Sequence, residues 1–162
     1  MLQTALEPDI PCFLLQLSDI TDSSVTGYKV FRGPKKELEY YETRVLSKNV
    51  RIREFSGRVN LLNLEICSDI FLDKATEFSA LNLLRSADIT VPRARHVNLP
   101  SLVQANVYAV RAENILVGPK FIGHIFCGVN TKVMSVGNKD VKITRFFTPI
   151  NAMRYSLRAL TR

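Results

Sequence analysis

The chain has no tryptophan, only two histidines and only three cysteines in 162 residues. Three cysteines (Cys12, Cys67, Cys127) cannot form a paired framework, which argues against a small secreted fold built on disulfides. A four-ligand zinc site would need nearly all of the cysteines and both histidines, His96 and His124, to converge. His124 and Cys127 lie three apart on a predicted strand and point to opposite faces, so no metal is expected. No run approaches the ~18 apolar residues that a membrane-spanning helix needs. The apolar run Ile10 to Leu17 follows Glu7 and Asp9, with no Lys or Arg before it, the reverse of a signal peptide. There is no Asn-x-Ser/Thr acceptor, which fits an intracellular protein.

The motifs of catalysis are also missing. There is no G-x-G-x-x-G, no nucleophile elbow and no H-E-x-x-H. Gly118 to Gly123 has the outer glycines of a P-loop, but His124 and Ile125 stand where the lysine and hydroxyl must be. That segment is therefore read as a turn between strands. Cys67 and Cys127 sit in apolar strand runs, where a thiol is a core residue more often than a nucleophile. Asp88, Glu113 and Asp140, the acids of the second half, lie beside turn residues where exposed carboxylates are ordinary. The chain is expected to be non-enzymatic and to use no cofactor.

What is present is charge, unevenly placed. Residues 1–28 carry four acids and no base, residues 29–84 ten bases and eight acids, and residues 85–162 twelve bases and three acids. The three segments (−4, +2, +9) sum to the net +7, and the basic second half is suited to an anionic partner.

Hydropathy patterning predicts an α+β fold, a mainly antiparallel sheet with one central helix and a C-terminal helix. Residues 1–24 read as a loosely ordered arm, since Pro8 and Pro11 resist regular structure and 18–24 is a polar turn cluster. Phe13, Leu14 and Leu17 of that arm are apolar enough to need a surface and are candidates for self-association. Residues 25–162 form the single globular domain. Strands are predicted over 25–32, 38–46, 50–55 and 58–66, with Val50 and Ile52 facing opposite to Arg51 and Arg53. Asp73 as N-cap and Ala75, Phe78, Leu81 and Leu84 at helical spacing predict a helix over 74–86. Residues 87–105 read as a long irregular loop, followed by strands over 106–111, 115–117 and 121–129. A hairpin is predicted from 131–136 to 141–147, and no internal repeat is recognised. Thr148-Pro149 opens a terminal helix on which Ile150, Met153, Leu157 and Leu160 share one face.

The candidate binding residues are basic. Arg154, Arg158 and Arg162 recur at i, i+4 and i+8 along the terminal helix, and Lys139, Lys142 and Arg145 precede it on the hairpin. These six are expected to form one anion-facing surface, with Arg93 and Arg95 contributing from the long loop. Arg51, Arg53 and Arg58 add bases in one strand region, but no base-reading signature accompanies them.

In layout the chain resembles the matrix proteins of rhabdoviruses, particularly the shorter plant-infecting ones. The features that carry the resemblance are the strand run Val50–Ile66, the helix Lys74–Ser86, the proline-containing loop Ala87–Ala105 and the later strands to Phe147. It departs from the animal-virus members in its acidic residues 1–28 and in lacking Pro-Pro-x-Tyr and Pro-Thr-Ala-Pro. The resemblance implies a viral structural protein that self-associates as a homo-oligomer and bridges a nucleocapsid to an anionic membrane. It also implies a place in the virion and in host cytoplasm or nucleus, peripheral at membranes. The alternative is a sequence-tolerant RNA- or single-strand-binding accessory protein.

Overall fold

The computed structural model describes residues 12–15, 28–31, 34–40, 44–46, 49–53, 55–135, 137–138 and 141–147. Sixteen strands follow in chain order: β1 (Cys12–Leu15), β2 (Tyr28–Phe31), β3 (Glu37–Tyr40), β4 (Val45–Leu46), β5 (Asn49–Ile52), β6 (Arg58–Leu61), β7 (Ile66–Cys67) and β8 (Ile70–Leu72). They continue with β9 (Glu77–Ser79), β10 (Arg85–Thr90), β11 (His96–Asn98), β12 (Gln104–Ala109), β13 (Asn114–Leu116), β14 (Ile122–Gly128), β15 (Lys132–Met134) and β16 (Lys142–Phe146). The described residues contain no helix.

The strands stack as a parallel β-solenoid. One sheet runs β1-β5-β8-β10-β12-β14-β16, with β4 and β7 beside it, and the second runs β15-β13-β11-β9-β6-β3-β2. Every pairing is parallel except β2 with β3. The second sheet pairs Arg58, Glu77, His96, Asn114 and Lys132 in one line, at steps of 19, 19, 18 and 18 residues. The first pairs Val50, Ile70, Ile89, Val107, Ile125 and Ile143, at steps of 20, 19, 18, 18 and 18. One turn of the solenoid therefore consumes about one such step, and each rung rests only on its neighbours.

Buried ladders fill the interior. Val50, Ile70, Ile89, Val107 and Ile125 are fully buried along one sheet, and Val59, Phe78, Val97 and Ile115 face them from the other. At one corner Leu64, Leu83, Leu102 and Phe121 stack; at the opposite corner Ala75, Ala94, Ala112 and Thr131 do. Six of these corners are tight turns closed between residues three apart. Ala94, Ala112 and Thr131 donate to the carbonyls of Val91, Ala109 and Gly128, while Leu83, Leu102 and Phe121 donate to those of Ala80, Leu99 and Gly118. The large residue at the leucine corner and the small one at the alanine corner make the rung's cross-section unequal at its two ends.

Several sequence expectations are corrected by this architecture. The α+β fold with a mainly antiparallel sheet is replaced by an all-strand parallel stack. Residues 74–86 form no helix: β9 lies in their centre, and the inward set is Ala75, Phe78, Ala80 and Leu83, with Leu81 and Leu84 exposed. A strand followed by a tight corner spaces its inward residues by 3, 2 and 3, close enough to helical spacing to imitate it. The loop predicted over 87–105 holds the end of β10, all of β11 and the start of β12. The predicted hairpin partners lie in different sheets, β15 pairing with β13 and β16 with β14. The internal repeat that hydropathy patterning does not reveal is the solenoid rung itself. The predicted terminal helix over 149–162 lies outside the described residues, as do most of residues 1–24. Within that arm β1 joins the body of its own chain, with Phe13 paired to Val50 and Leu14 to Arg51.

Candidate functional site

Two basic regions emerge from the stacking. The first lies at the alanine corner, where the rungs begin Lys74-Ala75-Thr76, Arg93-Ala94-Arg95 and Arg111-Ala112-Glu113. The alanine turns inward at each, so the residue before it must turn outward. Arg95 N donates to Thr76 O at 2.8 Å and Glu113 N to Arg95 O at 2.7 Å, which holds the three corners one above another. Adjacent parallel strands lie about 4.8 Å apart, so Lys74, Arg93 and Arg111 form a column at that rise. Arg93, Arg95 and Arg111 are exposed, and among the described residues no carboxylate pairs with any of the three. Glu113, the acid nearest in sequence, is turned to His96 Nε2 at 3.7 Å. Like charges about 5 Å apart in water repel by somewhat under about 1 kcal/mol, a cost that a bound polyanion would reverse.

The second region is a cleft of about 550 Å³ lined by Asn106, Pro119, Lys120, Phe121, Ile122, Gly123, His124, Gly137, Asn138 and Lys142. Its wall is the segment whose outer glycines resemble a P-loop. A Cβ at Gly118 would lie 2.5 Å from Leu102 O, and one at Gly123, where φ is +148°, would lie 1.9 Å from Ala105 O. Only glycine lets the segment between them turn this tightly, and it carries Lys120 outward. Asn138 Nδ2 ties the far wall to Phe121 O at 2.9 Å, and Ser135 Oγ bonds Gly118 O at 2.5 Å. On the floor, His124 and Lys142 are paired neighbours of β14 and β16, and His124 Nε2 lies 2.6 Å from Thr144 Oγ1. The ring of His124 stacks on Phe126 at 4.2 Å. Burial, reinforced by the Lys142 ammonium, holds His124 below the usual imidazole range, so it is neutral at pH 7.

Four residues of the predicted basic surface, Lys142, Arg145, Arg93 and Arg95, are among the described residues. Lys142 belongs to the cleft, whereas Arg93 and Arg95 belong to the corner column. Arg145 takes another position: its Nη1 donates to the carbonyls of Thr131 (2.7 Å), Gly128 (3.1 Å) and Val129 (3.4 Å). Arg51 faces Asp73 at 3.7 Å and Arg58 bonds Glu77 at 2.7 Å, so both are held within cross-rung pairs. Lys139, Arg154, Arg158, Arg162 and Leu17 lie outside the described residues. Lys74, Arg111 and Lys120 escape the sequence reading. The signal for the first two is present as a basic residue before alanine at positions 74, 93 and 111, legible once the rung length is known.

Neither Cys67 nor Cys127 is placed as a nucleophile. Cys67 is buried, and desolvation pushes its thiol up to about 12, far from a nucleophilic thiolate at neutral pH. Cys127 is fully buried on the inward face and is raised for the same reason. Among the described residues no group of three His, Cys, Asp or Glu side chains could hold a metal ion, and no helix is long and apolar enough to cross a membrane. Comparison with protein-family models, curated proteins and solved structures found no match to this chain.

Proposed function

We propose that this chain is a non-enzymatic scaffold that binds single-stranded nucleic acid along its alanine corner, without reading base sequence. The observation that carries the reading is the column of Lys74, Arg93 and Arg111 on successive rungs, with Arg95 beside it. A single line of cations at ~4.8 Å intervals suits a linear polyanion better than a planar one such as a membrane. A flexible single strand can follow a narrow ridge and adjust its phosphates to the rung spacing. Among the described residues Phe147 is the one large aromatic that is strongly exposed, so base stacking contributes little at this corner. Affinity then comes from counterion release, which needs charge and proximity but no bidentate geometry.

The test is binding of a fluorescent oligouridylate across a salt series. Three phosphate contacts, from Arg93, Arg95 and Arg111, predict a slope of log K against log salt of about −2 for a single strand. Replacing Arg93 and Arg111 with Gln should weaken binding and flatten the slope by about 1.4, with unchanged circular dichroism. Equal binding by the double variant would remove the corner from the contact. Anionic liposomes offered in the same buffer form the second arm. Retention on liposomes without retention on RNA would overturn this reading in favour of the membrane-bridging role that the matrix resemblance implies.

A further inference from the structure

The cleft beside β14 and β16 has a different shape from the corner column and calls for a different ligand. We propose that it is a binding site for a small phosphomonoester, with the phosphate between Lys120 and Lys142 and the organic group against Pro119 and Ile122. This proposal does not rest on the nucleic-acid reading, which concerns the opposite corner of the rung.

Five features support the assignment. The cleft is concave and measures about 550 Å³, within the range of ordinary small-molecule sites and larger than a bare phosphate requires. Two lysines from separate elements, the corner after β13 and the strand β16, open into it, and among the described residues that line it none is a carboxylate. Among the described residues neither lysine has an ion-pair partner, so a dianion would meet two uncommitted ammonium groups. Ile122, 69% exposed at the rim, and Pro119 offer an apolar contact beside the two lysines. The rigid frame completes the case. Gly118 and Gly123 admit no side chain, and Asn138 is bonded to Phe121 O, so the walls are set before a ligand arrives.

Isothermal titration with phenyl phosphate, inorganic phosphate and phenol separates the contributions. Phenyl phosphate should bind most tightly, inorganic phosphate at least several-fold more weakly, and phenol not measurably. Lys120→Gln combined with Lys142→Gln should raise the Kd for phenyl phosphate at least tenfold, while Lys120→Arg retains it. Both lysines are exposed, so the fold should tolerate these changes. The Arg93→Gln, Arg111→Gln variant serves as the control and should bind phenyl phosphate like the parent chain. Failure of phenyl phosphate to bind at millimolar concentration would sink the proposal, as would equal affinity in the Lys120, Lys142 double variant. Loss of binding in the arginine variant alone would move the anion to the corner and overturn the cleft as its site. Phenol binding as tightly as phenyl phosphate would show an apolar pocket and overturn the phosphate assignment.

Discussion

Gly123 and Gly137 both hold positive φ, at +148° and +77°, yet their surroundings are opposite. A Cβ at Gly123 would meet Ala105 O at 1.9 Å, an atom of the neighbouring rung's backbone, whereas nothing lies within 4 Å of one at Gly137. Gly123→Ala must push β14 away from β12 as well as strain its own backbone, and should cost about 2 kcal/mol or more. Gly137→Ala meets only the left-handed penalty of about 1–2 kcal/mol. Thermal denaturation of the two variants checks the order, and a smaller loss for Gly123→Ala would contradict the close approach. The same comparison bears on the cleft, because Gly123 shapes its wall and Gly137 only its rim. The need for glycine at 123 was not legible in the sequence. The clashing atom belongs to residue 105, eighteen positions away, and only the rung brings it near.

β16 closes the described solenoid with an arginine at an inward position. Its neighbours in that ladder are Ala109 and Cys127, both fully buried, and Arg145 pairs directly with Cys127. The rung that would cover Arg145 is not among the described strands, and its guanidinium turns to the carbonyls of Gly128, Val129 and Thr131. These are corner carbonyls of the rung beneath, so the side chain ties β16 to that corner. Arg145→Met keeps much of the aliphatic stem and removes the donors, and should destabilise the last rung by about 1–2 kcal/mol. Amide hydrogen exchange should then quicken in β16 while β10 and β12 keep their protection. Unchanged exchange in β16 would show that these bonds contribute nothing. Thr131 likewise joins two successive corners, donating to Ala112 O at 2.6 Å and accepting from Gly128 N at 3.1 Å. A polar residue is tolerated in that buried column because its hydroxyl is satisfied twice.

A solenoid has no single centre, so stability should be graded along its axis. Each rung contacts only the rungs above and below, and β10, β12 and β14 have a described neighbour on both sides. Their amides should exchange slowest, those of β16 and β2 fastest, with a continuous gradient between. A single cooperative class across all strands would contradict nearest-neighbour behaviour. Much of this molecule is legible in the chain alone. Alternation such as Val50 and Ile52 against Arg51 and Arg53 marks inward and outward faces, because side-chain direction along a strand is a local property. The buried cysteines, the missing catalytic motifs and the basic second half are likewise local or compositional. The sheet direction was not legible, since a rung with one face inward alternates just as an antiparallel strand does. Nor was the corner column: Lys74, Arg93 and Arg111 become neighbours only because 18- and 19-residue steps close into rungs. Within a strand, local alternation decided which side chains face the core, whereas at the corners, as at Leu81 and Leu84, the turn decided it. The pairing of residues far apart in the chain decided which charges meet, because that depends on the length of each turn and not on any one residue.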